Sequence, residues 1–294
     1  MIDETDISKY NRSMEIANLI TSPFGIGEKL IYELLERRES VFTVFRSPKD
    51  VPMSFLGKIN LKYGFIKFDQ EMNLEKTLPR KVINVFHLHE VYSGPFTGMF
   101  KANPCATLQL LDWSRKIGVK NFIYLSSGEV YGQGGNLIEK SAYNPRSFYA
   151  TTKFETEILF RYFYKSFNIN TVRIFFPFGK NLGEGYISSL HKSIKSGSSI
   201  DTEYSIVSPT FVDDAVAPLM KLRQINGNNI FNICGSPVKT ESLVDKFREI
   251  CGRSPKKMRI GKTELFGDNS KAKEILGYTE TPLEKALKIS FGKE

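Results

Sequence analysis

Ile16-Ala-Asn-Leu-Ile20-Thr-Ser-Pro-Phe-Gly25-Ile-Gly27-Glu-Lys-Leu30-Ile-Tyr-Glu-Leu-Leu35 begins as an apolar run and ends as an amphipathic repeat, with a glycine-bearing turn between them. The run 16–20 reads as a buried strand. Leu30, Ile31, Leu34 and Leu35 share one face of a helix expected over 28–38. A strand entering a helix through such a turn aims backbone N–H groups at the helix N-terminus, where a pyrophosphate can be held. The turn reads either as the opening unit of a dinucleotide-binding α/β fold or as a plain strand-to-helix turn, and the pattern of the rest of the chain favours the first. Ser22, Phe24, Gly25 and Ile26 are its candidate contacts, with Gly27 allowing close backbone approach.

Working outward, apolar β-rich runs alternate with helical patterns. Strands are expected over 41–45, 63–68, 82–88, 122–125 and 171–175, and helices over 107–117 and 148–167. This alternation predicts a doubly wound parallel sheet covered on both faces. Beyond Phe176 the pattern loosens, and residues 179–186 and 195–209 read as loop-rich. A helix over 213–222 and a strand over 230–233 are expected to return to the main sheet. The organisation expected is a polar tail over 1–14, a dinucleotide-binding domain over 15–176 joined by 211–233, and a smaller lid from 177–210 and 234–294.

The chain has 294 residues, 41% hydrophobic and 25% charged, enough for one large domain or one with a small companion. No apolar run reaches the length of a membrane span, and the polar N-terminus is not a targeting segment. Cys105, Cys234 and Cys251 are scattered without a paired motif, which fits a reducing compartment; the expected location is the cytoplasm. His87, His89 and His191 supply no ligand set for a metal. The net charge of +9 is spread along the chain rather than gathered in a stripe. It reads either as a solvated surface or as attraction to an anionic substrate or cofactor, offers no stripe for nucleic acid, and decides nothing alone.

After the second strand, Arg46 presents a guanidinium suited to a 2′-phosphate, so NADP is favoured slightly over NAD. Ser22 carries a Cβ, and a left-handed turn there would cost about 1–2 kcal/mol.

The candidate chemistry lies in Ser127 and in Tyr149-Ala-Thr-Thr-Lys153. Spacing of four stacks Tyr149 and Lys153 on one helix face. A phenol is a weak base at neutral pH, and a neighbouring ammonium favours the phenolate. Tyr149 is thus the candidate base, Lys153 the cation that lowers its pKa, and Ser127 the clamp on the substrate oxygen. Tyr63 and Lys67 repeat the spacing on an expected strand, where the two cannot meet.

Taken in order, NFIYLSSGEVYG (121–132), SFYATTKFETE (147–157), RIFFPFG (173–179), FVDDA (211–215), NIFNICG (229–235) and DNSKAKEILG (268–277) resemble the extended short-chain dehydrogenase/reductases, the NAD-dependent epimerase/dehydratase family. Asn103 resembles that family's helix-four asparagine. The resemblance implies a nucleotide-sugar substrate, Asp69 beside the adenine, Leu88 and His89 against the cofactor, and Lys153 shared between cofactor and catalysis. At Glu129 two roles stay open, a proton shuttle or a partner for a basic neighbour, and a homodimer is open as the assembly. Departures are equally specific. Ser22 replaces a loop glycine and the loop is one residue short. Phe176 stands for an asparagine near the substrate phosphates, no arginine precedes 211–214, and His89-Glu90 add bulk and charge. Gly128 stands where a dehydratase carries Asp. A carbonyl reductase of another small substrate and a non-catalytic sensor on the same fold are the alternative readings.

Overall fold

The computed structural model describes residues 16–292; the tail expected over 1–14 lies outside the described residues. The opening elements are β1 (Ile16–Ile20), α1 (Ile26–Glu36), β2 (Val41–Phe45), β3 (Leu61–Phe65) and β4 (Val82–His87). There follow α2 (Phe96–Phe100), α3 (Ala106–Ile117), β5 (Asn121–Ser127), β6 (Gly134–Leu137), α4 (Phe148–Leu159) and β7 (Asn168–Ile174). The later strands are β8 (Pro177–Phe178), β9 (Ile200–Val207), β10 (Thr210–Phe211), β11 (Asn228–Ile233), β12 (Val238–Lys239) and β13 (Met258–Gly267).

Seven strands form one sheet in the order β11-β7-β5-β4-β1-β2-β3. The pairs β2–β3, β1–β2, β1–β4 and β4–β5 are parallel, giving a Rossmann-like α/β fold. Strand order reverses between β1 and β4, and a ligand crevice opens at the carboxyl ends of such a pair. Register places Ile20 opposite Phe86, so Thr21 and His87 emerge side by side at that point.

By contacts the chain divides into two compact units. The first comprises residues 16–125 of the described chain, 151–171 and 222–229. Its core gathers Leu19, Phe42, Val85, Leu111, Phe122 and Tyr124. Each such large apolar side chain contributes about 1.5–3 kcal/mol on burial. Between α2 and α3 a π-helical turn (Lys101–Cys105) carries Pro104, which lacks the N–H that a regular helix would use. Asn103 is buried in this turn.

The second unit comprises 126–150, 172–221 and 230–292 of the described chain. It contains a four-stranded sheet in the order β12-β9-β13-β6, which the sequence pattern does not predict. Strand β9 is Ile-Asp-Thr-Glu-Tyr-Ser-Ile-Val, buried only at its two ends. Strand β13 is exposed or half-buried except at Leu265 and Gly267. Strands with so few core-facing positions lack the apolar run that marks a buried strand.

Helix α4 also ends at Leu159 rather than 167, giving way to a 3-10 turn over Phe160–Tyr162. Phe160, Phe163 and Phe167 all reach the first unit's core. Their helical spacing recorded burial on one side, not a continuous helix. No helix among the described residues is long and apolar enough to cross a membrane.

Candidate active site

At the end of β1 the Thr21 hydroxyl accepts the N–H groups of Leu88 and His89, each at 3.0 Å. It also lies 2.9 Å from Nδ1 of His87. The other ring nitrogen of His87 is 2.8 Å from the Thr107 hydroxyl, which donates its proton to the Asn103 carbonyl at 2.6 Å. A hydroxyl has one proton, so Thr107 must accept from Nε2–H, and Nδ1 must accept from Thr21. Burial, reinforced by the charges of His89 and Lys153, pushes the His87 pKa well down and keeps the ring neutral. His87 thus ties the ends of β1 and β4 to α3 with both nitrogens bonded.

The glycine turn sits at this point. Its positive φ falls on Gly25 at 56°, and Ser22 is not among the residues with positive φ, so the strain expected at Ser22 does not arise. A Cβ on Gly27 would lie 1.7 Å from the Ser22 carbonyl oxygen, a close approach that glycine alone permits. Phe24 is half exposed, with its ring edge-on to Phe45 at 6.0 Å, whereas Ile26 and Leu88 are buried. His89 stacks on Phe68 at 4.0 Å. Burial and then the Lys153 charge lower its pKa to about 4. Its buried Nε2 has no hydrogen-bond partner among the described residues.

Arg46 and Asp69 meet each other: the guanidinium donates to both carboxylate oxygens at 3.2 and 3.1 Å. That hydrogen bonding holds the Asp69 carboxyl below its ordinary range. Two of Arg46's five N–H donors are therefore committed within the protein.

Lys153 is almost fully buried. Its ammonium donates to the Leu125 carbonyl at 2.6 Å and pairs with Glu90 Oε2 at 3.0 Å. It also lies over the Tyr124 ring, 4.5 Å from the centroid. Burial alone would lower its pKa; the Tyr124 oxygen and the Glu90 carboxylate outweigh burial and hold it above the usual lysine value. Burial raises Tyr124 in turn, so that phenol is protonated at neutral pH and Glu90 supplies the formal negative charge.

Tyr149 lies one helical turn earlier on the same α4, 6% exposed. In the second unit, Ser127 is buried and its hydroxyl accepts the Glu129 N–H at 3.1 Å, capping a 3-10 turn over Gly128–Tyr131. Glu129 accepts the Ser147 hydroxyl at 3.2 Å, and Ser147 caps the Ala150 N–H at 3.0 Å. The candidate proton shuttle is thus tied to the residues that open α4. A Cβ at Gly128 would lie 2.5 Å from the Phe175 ring, which fills the space a side chain would need.

Several motif residues interlock rather than face a ligand. Buried Arg173 donates to the Tyr131 hydroxyl at 2.6 Å and the Glu139 carbonyl at 3.1 Å. Tyr131 donates to Asn232 at 2.9 Å. Burial raises the Tyr131 pKa to about 12 despite the nearby arginine. Phe176 has φ of 40°. Asparagine tolerates that region; a bulky ring there is strained by about 1–3 kcal/mol. The ring packs against Tyr186 and Tyr204, with centroids 5.2 and 5.1 Å away.

Sequence reading marks the charge at Glu90 but not its pairing with Lys153, and it misses Thr21 and the clamping role of Asn103. The signal for Glu90 was an acidic residue directly after the strand ending in His87-Leu88. Its partner lies far along the chain, and no spacing rule connects them.

The glycine turn, the start of an eleven-residue helix and the orphaned nitrogen of His89 fit a dinucleotide. The fold is a Rossmann-like α/β fold. The chain belongs to the NAD-dependent epimerase/dehydratase family, whose model matches residues 25–234.

An uncharacterised protein of Methanocaldococcus jannaschii is 26% identical over 206 residues, covering 64% of this chain and 63% of that protein. The chain therefore matches less than two thirds of that relative's length. The structure of MoeE5 with UDP-glucuronic acid and NAD is 25% identical, with a TM-score of 0.80 over 94% of this chain and 97% of that one. A UDP-glucose 4-epimerase of Thermotoga maritima, solved with UDP-glucose, is 25% identical, with a TM-score of 0.79 over 94% and 97%.

Proposed function

We propose that this protein is a nicotinamide-dependent enzyme of epimerase type acting on a nucleotide-activated sugar. The observation that carries the reading is the placement of Tyr149 and Lys153 one turn apart on α4, both buried, with the ammonium anchored on the Leu125 carbonyl. The anchor fixes a positive charge on the helix face that Tyr149 shares, which favours the phenolate. Tyr149 takes the proton of a sugar hydroxyl, and Ser127 holds that oxygen. The turn over 22–27, Leu88, His89 and the Arg46–Asp69 pair hold the cofactor, which supplies reversible hydride transfer when bound. Residues 177–210 and 234–294 hold the sugar nucleotide, and the cytoplasm suits such a substrate.

The internal pairing of Arg46 favours NAD more than the guanidinium alone suggested, in keeping with the NAD held by MoeE5. Dehydration is disfavoured, because the Phe175 ring fills the space an acid at 128 would need. The test is incubation of the purified protein and NAD with UDP-glucose, UDP-glucuronic acid or UDP-N-acetylglucosamine. Products are separated by anion exchange and identified by NMR. Interconversion of one sugar with its 4-epimer supports the reading. Loss of NADPH on a simple carbonyl compound, with every UDP-sugar unchanged, favours the reductase instead.

A further inference from the structure

We propose that Glu90 is a displaceable counter-ion that latches Lys153 until the cofactor takes its place. The inference rests on the reading of Lys153 as a cofactor-facing residue and adds a competitor built into the same site.

An ammonium has three N–H donors. The Leu125 carbonyl takes one, Glu90 Oε2 accepts at 3.0 Å, and the Tyr124 side chain provides a third partner. Lys153 is 1% exposed and Glu90 31%, so the pair is closed at the lysine end and open at the carboxylate end. The carboxylate is the partner that can leave.

The contact is built rather than incidental. The Asn103 side chain accepts the Val91 N–H at 2.8 Å and donates to the Val91 carbonyl at 3.0 Å. The same amide donates to the Thr152 hydroxyl at 2.9 Å. One asparagine thus joins the residue after Glu90 to the residue before Lys153. On the other side, the His89 N–H is held by Thr21 and its ring by Phe68. With the backbone fixed on both flanks, Glu90 can release Lys153 by rotating its side chain alone.

While the latch is closed, the charge meant to favour the Tyr149 phenolate is balanced by a carboxylate. A ligand that presents acceptors to the ammonium must displace Glu90, and its apparent affinity is reduced by the fraction of protein held closed.

The test compares wild type with Glu90→Gln in the full chain, using NADH fluorescence titration, ADP titration and thermal melting. ADP lacks the nicotinamide end and serves as the control for charge repulsion. The expected result is NADH binding tightened roughly tenfold in the variant. ADP binding should be unchanged, and the free protein should melt about 2–6 °C lower because a buried ammonium loses its counter-ion.

Equal tightening of NADH and ADP would mean that Glu90 acts by repelling phosphate, and overturns the latch. Unchanged or weaker NADH binding also overturns it, the latter making Glu90 part of the cradle. If neither protein binds NADH or NAD, the cofactor reading itself falls, a result distinct from a latch that fails while wild type binds.

Discussion

Replacing Gly27 by alanine tests the glycine turn directly. The added Cβ would sit 1.7 Å from the Ser22 carbonyl oxygen, 1.3 Å inside the 3.0 Å limit that real contacts of this kind essentially never cross. The obstacle is backbone, so no side-chain rotation relieves it. Either the turn over 22–25 or the first turn of α1 must shift by more than an ångström. Overpacking of this sort costs about 1–3 kcal/mol. Taking about 2 kcal/mol, the melting temperature falls by about 4–8 °C.

A displacement of that size also moves the backbone N–H groups at the helix start, and NADH affinity should fall at least about tenfold. The assay is thermal melting by circular dichroism with parallel NADH titration. Gly98→Ala is the control. That position lies in a helix with open space around it, and the change should be neutral or stabilising by up to about 1 kcal/mol. A Gly27→Ala protein with wild-type melting and wild-type NADH affinity would refute the reasoning.

Three further outcomes follow from the site. His87 and His89 are both held neutral, His89 with a pKa of about 4, so the unfolded chain binds more protons than the folded one below about pH 6.5. Stability should therefore fall on acidification through that window, by up to about 1.4 kcal/mol per pH unit for each histidine. Urea unfolding at about pH 7 and pH 5 measures it, and His89→Gln should flatten the slope. Gly128→Asp should destabilise the protein without creating dehydratase activity, since Phe175 fills the space; a stable variant releasing a 4-keto-6-deoxy sugar contradicts this. Arg46→Ala should return the Asp69 carboxyl to its ordinary range in an NMR titration. If Arg46 also selects cofactor, the variant weakens NADP binding and spares NAD; equal affinities before and after remove it from cofactor choice.

The sheet was legible because its strands are short apolar runs at regular intervals, each closed by a turn. Ile16–Ile20 and Val41–Phe45 match the expected bounds, and the helix after the glycine turn begins only two residues earlier than expected. Strands β9 and β13 escaped because their polar, half-open surfaces carry no periodic core signal. In the site, residues sharing one element were readable from spacing, as with Tyr149 and Lys153. Pairings between distant elements were not. Arg46 with Asp69 and Glu90 with Lys153 depend on how β2, β3, β4 and α4 come together. The role of His87 was likewise unreadable, because its two nitrogens are bonded to threonines on separate elements.

The central claim is that Tyr149 moves the proton of a sugar hydroxyl. It is tested most directly by mixing the NAD-loaded protein with UDP-glucose, UDP-glucuronic acid or UDP-N-acetylglucosamine and following the near-ultraviolet absorbance of reduced nicotinamide. Wild type should show a transient or partial reduction. Tyr149→Phe should show a rate lowered by about 10²–10⁴-fold with NAD affinity retained. Reduction at the wild-type rate in Tyr149→Phe would contradict the account.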